Sequence, residues 1–217
     1  MNKFIFLFFI SFFLCNTIFA QEIAIKKVFK ENGKYYFKID KTLVTGKIVS
    51  YFSKNKKQFE IEVKEGLKNG FERWWFKNSI LQIEVFFING KEEGVYKEFY
   101  KNGNPDVLSS YTNGKENGTW KQWYSNGKLS LVANYIDGKL DGNYIEYYEN
   151  ETIKKEINYE LGLEKGISKE YYNNGKQRAE ETFKNGKNHG IVSKWNKKGK
   201  LTYQVKFEEG IITEIIK

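Results

Sequence analysis

The chain of 217 residues contains one Cys, one His, one Met and one Pro. A single cysteine builds neither a disulfide framework nor a thiolate zinc site, and a single histidine leaves no histidine-based triad or multi-histidine metal centre. Carboxylate sites are the chemistry left open. Disorder is excluded from the other side, because 15 Tyr, 18 Phe and five Trp offer far more burial than solvating segments carry, even with 29% charged residues. Lys and Arg number 36 against 27 Asp and Glu. The net charge of +9 raises the question of an anionic partner: nucleic acid, acidic polysaccharide or a membrane surface. The length admits one or two domains.

The amino terminus bears on the compartment. Lys3 is followed by an apolar run from Phe4 to Leu14 broken only by Ser11, then by Cys15 to Ala20 and Gln21. A short positive region, an apolar stretch and a small residue before the cut are the marks of a signal peptide, so residues 1–20 are expected to be removed after Ala20. The run is shorter than the roughly 20 apolar residues of a membrane-spanning helix. The alternatives are an uncleaved anchor and a lipoprotein attached through Cys15, for which Phe12-Phe13-Leu14 lacks the small residue expected just before a lipidated cysteine. Cleavage after Ala20 would remove the only Cys and Met, leaving a chain indifferent to the redox state of its compartment.

Glycine keeps a fixed spacing. Gly46, Gly70, Gly94, Gly118, Gly142, Gly166 and Gly190 recur at one constant interval, and Gly66, Gly90, Gly114, Gly138, Gly162, Gly186 and Gly210 repeat at the same interval. Such self-similarity is the signature of a repeat architecture. The aromatics follow the same period. Five positions after the first-series glycines come Tyr51, Trp75, Phe99, Trp123, Tyr147, Tyr171 and Trp195, and the next residue is Phe52, Phe76, Tyr100, Tyr124, Tyr148, Tyr172 and then Asn196. Phe87, Tyr111, Tyr135, Tyr159, Phe183 and Phe207 mark a further aromatic position, with Val63 in the first unit.

Within a unit the apolar period is two, as in Leu129, Leu131, Ala133 and Tyr135, which describes a half-buried strand. Asn-Gly turns, as at Asn102-Gly103, alternate with Gly-Lys-x-x-Gly turns such as Gly114 to Gly118; both place glycine or asparagine where φ exceeds zero. The expected fold is all-β: an elongated, twisted antiparallel meander of about seven 24-residue hairpins, with about 14 strands spaced about 4.8 Å apart. Parallel pairing is not expected, since a crossover needs about a dozen residues. Residues 21–40, with the turn Glu31-Asn32-Gly33-Lys34, read as an N-terminal capping hairpin, 41–210 as the array, and 211–217 as a C-terminal capping strand.

The unit Asn113-Gly114-Lys115 to Lys128, repeated degenerately from Leu161-Gly162 to Lys176, resembles the MORN-repeat variant, the bacterial repeat of the YwqK-family antitoxin type. The resemblance spans about residues 40–210. Departures fall at Asn78-Ser79, Asn150-Glu151, Asn196 and Lys198. It implies a scaffold or interaction surface, in some members membrane-associated.

Enzymatic chemistry has little support. Glu98, Glu146 and Glu170 recur one position before the first aromatic of their units, as solvated strand positions do, rather than converging on a cleft. No phosphate loop, nucleophile elbow or metal-ligand cluster is present, so no cofactor and no metal are expected. Binding is the functional reading. Adjacent aromatics in a strand face opposite ways, so Phe76, Tyr100, Tyr124, Tyr148 and Tyr172 form a candidate binding stripe. The plainer reading is cross-strand packing that stabilises a thin sheet. The expected role is an exported protein-interaction or envelope scaffold module. The alternatives are neutralisation of a partner toxin and binding of a surface glycan or anionic lipid; export argues against nucleic acid.

Overall fold

The computed structural model describes residues 21–217. The expected signal segment 1–20, with Cys15, lies outside the described residues. Within them the chain is all β apart from one 3-10 turn at Ile25–Lys27. Strands follow one another in chain order from Gly46–Ser53 to Ile211–Ile215, each hydrogen-bonded antiparallel to the next, in a long sheet of hairpins not closed into a barrel.

The two glycine series have different tasks. Second-series glycines complete two-residue turns in which both φ values are positive, for example Asn113 at 54° and Gly114 at 82°. This is the hairpin turn whose twist matches that of the strands. Each such glycine also donates its N–H to a carbonyl of the preceding unit, as Gly114 to Glu92 at 2.9 Å and Gly138 to Glu116 at 2.8 Å. Stacked turns therefore tie each unit to the one before it.

First-series glycines lie in strands, not in the turns expected of them. Gly142 sits inside Lys139–Tyr147 with φ at 94°. Register explains it: Ala133 faces Tyr144 and Tyr135 faces Leu140, so two extra residues, Asp141 and Gly142, bulge from one strand. Positive φ allows that bulge, and glycine adopts it at no steric cost. An insertion of two residues preserves the alternation of faces. Each first-series glycine also pairs with the recurrent aromatic position across the sheet, Gly94 with Tyr111, Gly118 with Tyr135, Gly142 with Tyr159. At the opposite end of each hairpin a one-residue bulge, such as Asp106 between Pro105 and Val107, bends the strand again.

One pairing departs from the expected pattern. Glu22–Ala24 lies parallel to the first strand of the array, Glu22 opposite Lys47 and Ala24 opposite Val49. The intervening Val28–Glu31 and Lys34–Phe37 hairpin supplies the crossover connection that the repeats lack. That hairpin packs on the first unit, where Ile23, Val28, Tyr35, Val44, Ile48 and Phe59 form a buried cluster. Elsewhere the sheet is one layer. Its packed face is marked by a row drawn from the same position of successive units, Val85, Ser109, Ala133 and Ile157, all buried. Ala133 lies between Trp120 and Tyr144 and is fully buried, since only a small side chain fits between two large rings.

Candidate interaction surface

The stripe residues stand at the Asn-Gly end of the hairpins, where each begins a turn. Tyr100 takes the N–H of Gly103 on its carbonyl and donates its own N–H to Asn104. The turn is closed by Asn102, whose Oδ1 accepts the N–H of Asn104 at 3.0 Å while its amide donates to the Ser125 carbonyl of the next unit at 2.7 Å. The tyrosines do the same across units. Tyr100 Oη donates to the Trp123 carbonyl at 2.7 Å, Tyr124 to Tyr147 at 2.6 Å, Tyr148 to Tyr171 at 2.9 Å and Tyr172 to Trp195 at 2.9 Å. Phe76 has no hydroxyl and starts the row without this bond. All five are half-buried, so each ring packs in the array and offers part of its face to the surroundings.

Notches open beside this row. One is lined by Phe76, Glu98, Phe99, Tyr100 and Asp106; the next by Tyr100, Tyr124, Leu131, Tyr144, Glu146 and Lys154. Tyr96 donates to Glu98 at 2.9 Å and Tyr144 to Glu146 at 2.7 Å. Burial raises the phenol pKa values of both well above the usual range, and the adjoining carboxylates add to the shift. Burial also pushes Tyr100 and Tyr111 up to about 12, with Asp106 next to the first and Glu116 next to the second.

The two faces differ in their balance of charge, though each carries both signs: Lys155 and Lys194 share the packed face with its glutamates, and Glu84, Glu156 and Glu180 share the open face with its lysines. The packed face presents Glu92, Glu98, Glu116, Glu146, Glu164 and Glu170, whose partners across the sheet are mostly apolar or tyrosine. The other, open face presents Lys91, Lys97, Lys115, Lys121 and Lys139. At its N-terminal end the open face is neutralised by a ladder across neighbouring strands: Arg73 bonds Glu60 at 3.1 Å and Glu84 at 2.7 Å, and Lys97 bonds Glu84 at 2.9 Å. The Arg73 bond, opposed by partial burial and aided by Lys97, holds the Glu84 carboxyl below its ordinary pKa. Farther along, Val95, Leu108 and Ile167 stand exposed on the open face.

Sequence reading finds the stripe but not this division of charge. Bulges shift local alternation, and both faces carry aromatics, so simple parity along the sequence does not say which face a carboxylate joins.

This architecture defines a class: a single-layer β-hairpin repeat array without an enclosed active-site cleft among the described residues. Within it, residues 92–113, 116–137, 140–161 and 164–185 match the MORN repeat variant, in four tandem copies. No curated protein matches the chain. The structural unit extends past the four matched copies. Gly70 faces Phe87 and Gly190 faces Phe207 in the same arrangement, although the flanking units carry departures such as Asn196 in place of the second aromatic. MORN repeats are generally non-enzymatic modules that mediate interactions with proteins or membrane lipids.

Proposed function

We propose that the chain is an exported, non-enzymatic module that holds another protein at the cell envelope. The observation that carries this reading is a tyrosine-lined face richer in carboxylates backed by an open face richer in lysine, in units tied to one another by ladders of hydrogen bonds at their turns. A thin sheet with bonded turns keeps side chains at fixed intervals, which suits recognition of an extended partner more than chemistry on a small substrate. The amino-terminal segment supports export by its composition.

The test is affinity capture from an envelope extract with the chain lacking residues 1–20, beside sedimentation with vesicles of anionic phospholipid. One or a few envelope proteins retained at physiological salt are expected, with no more sedimentation on anionic than on neutral vesicles. Salt-sensitive sedimentation without protein capture would replace the reading by lipid binding through the lysines of the open face. Recovery of a secreted toxin as the sole partner would replace it by neutralisation, the role associated with YwqK-family repeats.

A further inference from the structure

The stripe recurs with a period that selects what fits along it. Phe76, Tyr100, Tyr124, Tyr148 and Tyr172 occupy one position of successive hairpins. Strands of a sheet lie about 4.8 Å apart, so equivalent positions two strands apart recur at about 9.6 Å. Bonds between turns, such as the Asn102 amide to the Ser125 carbonyl at 2.7 Å and Tyr124 Oη to the Tyr147 carbonyl at 2.6 Å, hold neighbouring hairpins in that stacking. The notch beside the ring recurs with it: Tyr100 lines two, and at Tyr172 another is lined by Glu170, Arg178, Ala179 and Trp195.

Few backbone conformations match this interval. A polyproline II helix turns once in three residues of about 3.1 Å each, or about 9.3 Å. An extended strand returns to the same face after about 6.7 Å and an α-helix after about 5.4 Å, so their side chains fall out of step with successive notches. The rings are also ready to receive such a helix. Each is half-buried, and the hydroxyls of Tyr100, Tyr124, Tyr148 and Tyr172 are already bonded to main-chain carbonyls, so docking immobilises no free rotamer of theirs. Aromatic-lined grooves take proline-rich segments, whose polyproline II form is stiff before it binds. On the same face Glu92, Glu98 and Glu116 have no ion pair among the described residues, whereas Glu146 and Glu170 are paired with Lys154 and Arg178.

We propose that the stripe is a docking row for a proline-rich partner segment in the polyproline II conformation, with one residue in three entering successive notches between Phe76 and Tyr172. Lysine or arginine among its prolines complements a face richer in carboxylates. The inference rests on the interaction-module reading and gives its partner a chemistry. The chain has one Pro of its own, so a second copy does not supply the segment.

The test uses the chain from Gln21 and a blocked peptide of repeated arginine–proline–proline triplets, followed by calorimetry and by amide chemical shifts. Controls are triplets of arginine–serine–serine, which keep the charge but not the helix, and of glutamate–proline–proline, which keep the helix but reverse the charge. The arginine–proline peptide is expected to bind at least tenfold more tightly than either control and to shift the amides of Tyr100, Tyr124 and Tyr148. Tyr124→Ala is expected to weaken binding at least tenfold, and Tyr124→Phe, which keeps the ring, to stay within twofold of wild type. Lys121→Gln on the open face is expected to leave it unchanged. Should Tyr124→Ala fold poorly, the wild-type shifts decide. Absence of binding, equal binding of either control, shifts centred on Lys97 and Lys121, or a folded Tyr124→Ala that binds as wild type does would overturn the proposal. Envelope capture undiminished by excess peptide would overturn the docking row but leave the module reading standing. Peptide binding without any captured protein would do the reverse.

Discussion

Leu161 occupies a position that asparagine or aspartate fills in other units. It opens the turn Leu161-Gly162 with φ at 51°, as Asn89, Asn113, Asp137 and Asn185 open theirs. An L-residue in this left-handed region suffers contact between Cβ and carbonyl oxygen, costing roughly 1–2 kcal/mol, which asparagine recovers in part by local hydrogen bonding. Leu161 is 68% exposed, so little packing opposes its replacement. Leu161→Asn is expected to stabilise the protein by about 1 kcal/mol and raise Tm by about 2–4 °C. A lowered Tm would mean that the leucine packs on something that outweighs its backbone strain. The phenols make a second residue-scale statement. Tyr100, Tyr111 and Tyr171 ionise only at about 12, chiefly through burial, whereas the unfolded chain releases these protons near pH about 10. Between those values the folded state holds more protons. The stability they contribute is thus complete below about pH 10 and is lost as pH rises towards about 12. Urea midpoints should fall more steeply from pH 9 to 11.5 in the wild type than in Tyr111→Phe; parallel curves would contradict the assignment.

Among elements, the turn is the unit that holds the array together. The Tyr124 hydroxyl bond to the Tyr147 carbonyl crosses from one hairpin to the next, and its removal in Tyr124→Phe should cost about 1 kcal/mol, the net value of an ordinary hydrogen bond. Phe76 shows that a ring without a hydroxyl fits the same place. The loss should appear in urea melts with far-ultraviolet circular dichroism unchanged; no loss would mean that water replaces the carbonyl as partner. Turns are the most legible part of the sequence, because positive φ restricts residue choice and leaves glycine and asparagine as markers. The first-series glycines are legible as a spacing but not as bulges, because glycine marks both a turn and a bulge. The parallel Glu22–Ala24 pairing is hidden because it depends on a hairpin doubling as a crossover, a tertiary fact without a local pattern. The stripe can be placed from Phe76 to Tyr172, yet its hydroxyl bonds cannot, since their acceptors are main-chain carbonyls that every residue carries.

For the whole molecule, the distribution of burial predicts uneven stability. A repeat array is held by contacts between neighbours, so opening can begin at one end and stop before the other. The N-terminal end has a second layer: the cap covers Val44 and Ile48, both fully buried, beside Phe59, Ile61 and Val63. At the other end every residue of Ile211–Ile215 is exposed, held mainly by its pairing with Leu201–Glu208. Native-state hydrogen exchange should therefore be slowest in Gly46–Ser53, Lys56–Lys64 and Leu67–Trp75 and fastest in Ile211–Ile215. Val44→Ala separates this arrangement from all-or-none unfolding. Removing the buried branch should cost about 2 kcal/mol, corresponding to roughly thirtyfold faster exchange where opening requires loss of the cap. The amides of Ile48 and Ile61 should show that acceleration, and those of Val192 and Val205, at the far end of the sheet, should show little or none. Equal acceleration at both ends would mean that the ladders of turn glycines, asparagines and tyrosines couple the units into one cooperative body, so that a partner gripping the middle of the array would feel the stability of its whole length.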